Sequence, residues 1–225
     1  MSLTVAYGAL LTGVIVWLVL VRKLSARSWE GHAVADDAHR GANFASSKIG
    51  LGVFLAVITS LFALFISAYY MRMGHGHGQV HDWSPLSEPP VLWVNTAMLI
   101  LGSIAMQWAR ASIARGDLAR TRTGLMAGGL LTLAFIAGQF IAWREIRFSG
   151  FFSPSNPAVA FFYLLTAVHG LHLLGGLYVW ARTLLRMRRA DIEAIDVRVS
   201  VELCTVYWHY LLFVWLVLFA LLLST

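Results

Sequence analysis

Residues 158–181 read AVAFFYLLTAVHGLHLLGGLYVWA, an apolar stretch without aspartate, glutamate, lysine or arginine. A helix rises about 1.5 Å per residue, so a stretch of this length can cross the roughly 30 Å of hydrocarbon in a bilayer. Five other blocks are similar in length and composition, and the complete set of apolar blocks is 3–21, 49–71, 91–109, 124–143, 158–181 and 203–224. The pattern predicts an all-α fold, a polytopic membrane helix bundle with six transmembrane helices.

The composition is typical of a chain that folds in lipid. Of its 225 residues, 59% are hydrophobic and 12% are charged, and that charged share is about half of what soluble domains carry. The net charge of +6 arises from short loops without a basic, aromatic-rich face, so we expect no nucleic-acid partner. The single cysteine, Cys204, excludes a disulfide framework, a thiolate zinc site and a paired-cysteine copper centre within this chain.

The basic residues predict the orientation of the helices. Of the 17 lysines and arginines, 14 lie in segments 22–48, 110–123 and 182–202. The positive-inside rule places these segments in the cytoplasm and both termini on the periplasmic side. The first block has no preceding basic residue and no small-x-small cleavage site, so we predict an uncleaved anchor. The predicted organisation is an N-terminal transmembrane anchor helix at 1–22, a cytoplasmic linker at 23–47 and a five-helix membrane domain at 48–225.

Three histidines inside the apolar blocks are the most specific chemical feature. His169 and His172 are three residues apart and share one helix face, and His209 in the next block reaches a depth similar to that of His172. Two interpretations are open. The imidazoles are neutral and hydrogen-bond to facing helices or lipid, or His172 and His209 hold a bis-histidine haem in a cleft lined by Gly170, Gly175 and Gly176.

Other polar residues in the blocks predict contacts between helices. Membrane helices use such side chains for interhelical hydrogen bonds and use pairs of small residues for close packing. We assign the first role to Asn95, Thr96, Gln107 and Gln139, and the second to Gly124 and Gly128.

The charged and metal-binding candidates lie at the edges of the membrane. Glu202, at the cytoplasmic mouth of the last block, either borders a helix start or holds a lipid headgroup or an interfacial proton. The loop from Gly74 to His81 contains three histidines that could bind a divalent metal weakly. Its glycines leave no rigid shell, so we predict a solvated loop and no specific metal site.

Taken together, these residues resemble subunit III of the cytochrome oxidases over about 46–223. The first match runs from Leu92-Trp-Val-Asn-Thr-Ala through Trp108-Ala109 to Gly116-Asp117. The second is Phe161-Phe-Tyr followed by His169-Gly-Leu-His172 and Gly176. The third is Glu202 followed by Tyr207-Trp-His209 and Val214-Trp215, and Gln139 falls where that family usually has a glutamine.

The resemblance implies a non-catalytic subunit with no haem, copper or other metal of its own. Such a subunit packs against the haem–copper subunit I and subunit II, with a small subunit IV as a further partner. It binds phospholipid and supports proton uptake in the bacterial inner (plasma) membrane. The residues that we expect to contact lipid or to pack between subunits are Trp108, His169, His172, Glu202, Trp208 and His209.

Three departures from the family concern carboxylates. Ser60, Ala142 and Leu212 stand where the family usually has acidic residues, so a carboxylate proton antenna is not expected in this chain. The loss also suits a non-pumping partner, and an accessory subunit of nitric oxide reductase is therefore the alternative to an oxidase subunit.

Overall fold

The computed structural model describes residues 35–74, 90–148, 157–187 and 194–224, with side chains except at 35–47, 74 and 194–196. These residues form five helices, which are α1 (Ala35–Gly74), α2 (Val91–Ala114), α3 (Leu118–Phe148), α4 (Pro157–Arg186) and α5 (Ala194–Leu223). Each helix is long and apolar enough to cross a membrane, and no strand occurs in these ranges. The helical membrane fold is confirmed for five spans, and the predicted span at 3–21 lies outside the described residues.

The helices extend beyond the apolar blocks that predict them. Helix α3 covers Leu118–Phe148 around the block at 124–143, and α5 begins at Ala194, ahead of the block at 203–224. Helix α1 begins at Ala35, so residues 35–47 of the predicted linker are helical. Hydropathy marks the part of a helix inside hydrocarbon, whereas a helix ends only where its backbone hydrogen bonding stops.

The chain divides into two compact units, Met1–Ser67 and Ala68–Thr225. In the first unit, the described part of α1 exposes large apolar side chains such as Val53, Val57 and Leu64. The hydroxyl of Ser60 donates to the carbonyl of Ala56 in the same helix. Ser60 is exposed, so a hydroxyl bonded to its own backbone stands at the position of the family's acidic residue.

The second unit contains a four-helix bundle. Helix α2 packs against α3 and α5, and α4 packs against the same two helices, which closes the ring. A tight turn joins α2 to α3, and Gly116 in this turn has a φ of 78°, a conformation that L side chains rarely adopt. The carboxylate of Asp117 accepts a hydrogen bond of 2.9 Å from the backbone N–H of Arg120 and caps the start of α3.

The predicted small-residue pair on α3 is confirmed as a packing surface. A Cβ on Gly124 would lie 2.9 Å from the Cβ of Ala109, and a Cβ on Gly128 would lie 2.8 Å from the Cε of Met106. The neighbours of Gly124 are a Cβ and backbone atoms, which cannot give way, so this separation of α2 and α3 requires a glycine there, whereas at Gly128 the flexible end of Met106 would have to move. Close approach gives the dispersion contacts that hold membrane helices together.

Candidate functional site

Tryptophan side chains cross the interior of the bundle. Trp215 on α5 is fully buried, and its Nε1 donates a 2.9 Å hydrogen bond to Oγ1 of Thr96 on α2. Its ring centroid lies 4.8 Å from that of Phe135 and 5.3 Å from that of His169. The predicted interhelical role of Thr96 is therefore confirmed, and one indole contacts the other three helices.

A second indole joins the diagonal pair of helices. Nε1 of Trp208 on α5 donates to Oγ1 of Thr132 on α3 at 2.9 Å, and the Thr132 hydroxyl donates to the carbonyl of Gly128. Trp208, expected to pack or to contact lipid, is buried and so takes the packing role within this chain. Such bonds contribute about 0.6 kcal/mol on average in membranes. Because a hydrogen bond is directional, it also fixes how one helix is rotated against another.

The amide pair predicted from the sequence also forms. Asn95 on α2 donates from Nδ2 to Oε1 of Gln139 on α3 at 3.4 Å, with both residues buried. The Asn95 side chain fills the space that a Cβ on Gly138 would need. Gln107 was assigned the same role, but its side chain is exposed on the outside of α2 and forms no such bond within the described bundle.

His169 occupies the centre of the bundle and packs against aromatic rings. It is completely buried, and its ring meets Phe135 edge-on with centroids 5.9 Å apart. Within the described part of the chain, neither ring nitrogen has a hydrogen-bond partner. The predicted hydrogen bond to a facing helix is therefore wrong for this histidine, which packs through its ring faces and edge instead.

His172 and His209 each use Nδ1 in a hydrogen bond with a described residue. Nδ1 of His172 donates to the carbonyl of Val168 in its own helix at 2.7 Å, whereas Nδ1 of His209 pairs with Oγ of Ser103 on α2 at 2.9 Å. The His172 bond stays within α4, whereas the His209 bond joins α5 to α2. Tyr207 fills the notch at Gly176, where a Cβ would lie 2.6 Å from the tyrosine ring. Of the three glycines, only Gly176 is covered in this way, because a Cβ on Gly170 or Gly175 would meet nothing within 4 Å.

The remaining candidates lie toward the surface. Glu202 is half-buried and pairs with Arg198 at 3.1 Å. Because α5 begins at Ala194, Glu202 lies two turns inside the helix, so the helix-start interpretation is wrong. Trp108 is 43% exposed on the outward side of α2, where it is free to contact lipid or another chain. The described residues contain no cluster of three metal-ligating side chains, and the histidine loop at 75–81 lies outside them.

Comparison with known proteins assigns the family. A family model described as cytochrome c oxidase subunit III matches residues 3–224. The chain belongs to the cytochrome c oxidase subunit III family. The match covers all five described helices and also the first apolar block, and it confirms the resemblance seen in the sequence motifs.

Individual relatives of this subunit III chain agree with the family match. Cytochrome c oxidase subunit 3 of Thermostichus vulcanus is 28% identical over 198 residues, which cover 86% of this chain and 94% of that protein. Probable cytochrome c oxidase subunit 3 of Mycobacterium bovis is 29% identical over 165 residues, 73% and 79% of the two chains. Heme-copper oxidase subunit I+III of Aeropyrum pernix is 22% identical over 185 residues, 79% of this chain and 23% of that protein.

Proposed function

We propose that this chain is the non-catalytic subunit III of a haem–copper terminal oxidase in aerobic respiration. It stabilises the catalytic subunit, binds phospholipid and supports proton uptake. Two observations support the proposal: the chain belongs to the subunit III family, and its buried indole groups form hydrogen bonds between its own helices. The indole N–H groups of Trp208 and Trp215 donate hydrogen bonds to residues on other helices. These bonds fix the geometry of the bundle, and a rigid bundle is suited to stabilise a neighbouring subunit.

Subunits I and II are the partners that we propose for it. The relative from Aeropyrum pernix is named as subunit I+III, a single chain that combines the two subunits. Such a fusion supports direct contact between subunits I and III when they are separate chains. Haem and copper then belong to the partner subunits, where electron transfer and oxygen reduction take place, and a small subunit IV completes the complex.

Support of proton uptake works through the partner in this proposal. Ser60 is an exposed hydroxyl bonded to its own helix, Ala142 is fully buried and Leu212 is half-buried and apolar. None of these three side chains titrates, so a relay of acidic groups at these positions is not available. A fixed bundle and its bound phospholipid instead keep the catalytic subunit in the conformation that takes up protons.

The proposed topology has six spans with both termini on the periplasmic side of the bacterial plasma membrane. Segments 110–123 and 182–202, where α2 meets α3 and α4 meets α5, contain nine of the 17 basic residues, as cytoplasmic segments do. Fusion of an alkaline phosphatase reporter at the C-terminus should give an active enzyme, because that enzyme folds only outside the cytoplasm. An inactive fusion with normal amounts of protein would reverse the topology.

Purification of the tagged chain in mild detergent tests the function. We expect subunits I and II to co-elute, with haem absorbance in proportion to subunit I and phospholipid in excess of a detergent blank. Removal of the chain should leave the initial oxidase rate intact and shorten the time over which turnover continues. Co-elution with a nitric oxide reductase would contradict the oxidase assignment, and haem bound one-to-one to the isolated chain would contradict a non-catalytic role.

A double variant tests the two outer histidines separately. His172→Leu with His209→Leu should fold, because neither ring fills the centre of the bundle, and its complex should lose activity sooner during turnover. A matched control is Leu171→Ala with Phe213→Ala, at two exposed positions on the same helices. If the histidine variant equals the wild type in active lifetime and in bound phospholipid, these histidines contact neither lipid nor subunit.

A further inference from the structure

An imidazole is exposed on the outside of the bundle at the depth of the hydrocarbon. His209 on α5 is exposed and pairs with Ser103 on α2, which fixes its depth. Ser103 precedes residue 109, the end of the apolar block on α2, by six residues, a distance of about 9 Å along the helix axis. Polar side chains at such depth normally face a bundle interior or a partner, because exposure to lipid tails is costly.

The polar side chains beside His209 form a row along the junction of α2 and α5. Gln107, one turn from Ser103, is exposed and has no hydrogen bond within the part of the chain that the structure describes. Arg110 is half-buried, lies two turns from Ser103 on the same side of α2, and forms no ion pair in the same described ranges. Glu202 lies two turns before His209 on the same side of α5. We call Ser103, Gln107, Arg110, Glu202 and His209 the α2–α5 polar edge.

This edge contrasts with the outward surfaces of the other bundle helices. On α3 and α4, the exposed side chains at mid-membrane positions include Leu130, Leu133, Leu171 and Leu174, which suit direct contact with lipid tails. Lipid tails are a favourable environment for those leucines, but they offer no hydrogen-bond partner to the polar groups of the α2–α5 polar edge.

We infer that the α2–α5 polar edge is the docking surface for a transmembrane helix of the partner subunit, and that this helix offers a carboxylate to Arg110 and His209. The inference rests on the proposed function, which supplies the partner. Arg110 contributes a positive charge and the Gln107 amide contributes donors. When the Ser103 hydroxyl donates to Nδ1 of His209, Nε2 carries the proton and is a donor as well.

Charge complementarity selects this occupant over two others. The only acid of the edge, Glu202, is already paired with Arg198, so the unpaired groups call for an external anion. The apolar block at 3–21 of the same chain contains no aspartate or glutamate and cannot supply one. A phospholipid phosphate is anionic but stays near the membrane surface, whereas His209 lies beside Ser103, about 9 Å inside the end of the apolar block. A carboxylate on a neighbouring helix satisfies both charge and depth.

Photocross-linking in the intact complex tests the site directly. A benzophenone amino acid at Ile104, an exposed position beside the edge on α2, should cross-link to a transmembrane helix of the catalytic subunit. The same residue at Leu171 on α4 should not. Cross-links to the catalytic subunit from Leu171 but not from Ile104, or only to phospholipid from Ile104, would overturn the inference.

Charge reversal tests the chemistry of the contact. Arg110→Glu should reduce the amount of this chain that stays with the catalytic subunit in detergent by about three- to tenfold, and Arg110→Lys should retain it. Equal helical content of the two variants by circular dichroism shows that both fold. If the wild-type chain co-purifies with the catalytic subunit and Arg110→Glu is retained to the same extent, the proposed carboxylate contact is wrong. If the wild-type chain itself fails to co-purify, the proposed function is the one that is wrong.

Discussion

Replacement of Trp215 by alanine tests whether one indole holds the bundle together. The ring is fully buried, lies 4.8 Å from Phe135 between centroids and donates to Thr96. In soluble cores a Trp→Ala change costs about 3–5 kcal/mol, part of which is the transfer of the side chain out of water. Lipid tails are as apolar as a core, so only the cavity and the lost hydrogen bond count here. We expect the free energy of unfolding to fall by about 2–3 kcal/mol.

The assay is reversible unfolding of the purified chain in mixed micelles, followed by circular dichroism as the fraction of SDS increases. Trp108→Ala is the matched control, because it makes the same substitution at a side chain that is 43% exposed. That control should change the free energy of unfolding by less than about 1 kcal/mol, as substitutions outside a core usually do. A loss at Trp215 no greater than the loss at Trp108 would show that the buried indole does not hold the bundle together.

Three further substitutions probe single contacts in the same unfolding assay. Gly176→Leu should lower the free energy of unfolding by about 1–3 kcal/mol, because Tyr207 fills the notch at Gly176. The control Gly170→Leu places its side chain in open space, and equal losses for the two variants would show that the notch is not filled. Gly116→Ala should cost about 1 kcal/mol at a φ of 78°, and a neutral result would contradict a rigid turn. Thr132→Val should cost about 0.6–1.7 kcal/mol by leaving an indole N–H unpaired, and unchanged stability would exclude that bond.

The bundle shows how membrane helices associate without the hydrophobic effect. Glycines on α3 let α2 approach closely, and indoles on α5 find hydroxyl acceptors on α2 and α3. Each bond is weak, but each has a direction, so together they select one arrangement of apolar helices. Fixed geometry is what a subunit without its own reaction centre can offer to a catalytic neighbour.

Residue types alone were enough to find part of the site. A glycine pair spaced by four predicts close packing, and buried amides predict interhelical bonds, and both expectations hold at Gly124 and at Asn95 with Gln139. The same rule failed for Gln107, which faces outward, and for His169, which is buried without a hydrogen bond among the described residues. A polar residue in a membrane block signals a partner, but the residue type does not say whether that partner is internal.

Hydropathy and motif spacing were enough to locate the five described spans and to indicate the family, because both are local properties of the chain. The packing of the helices was needed to show that Trp208 reaches Thr132 and that His209 lies on the outside against Ser103. The physical reason is that lipid tails and a protein core are equally apolar. The pattern of apolar residues along a membrane helix therefore does not mark its inward face, and only packing against other helices assigns it.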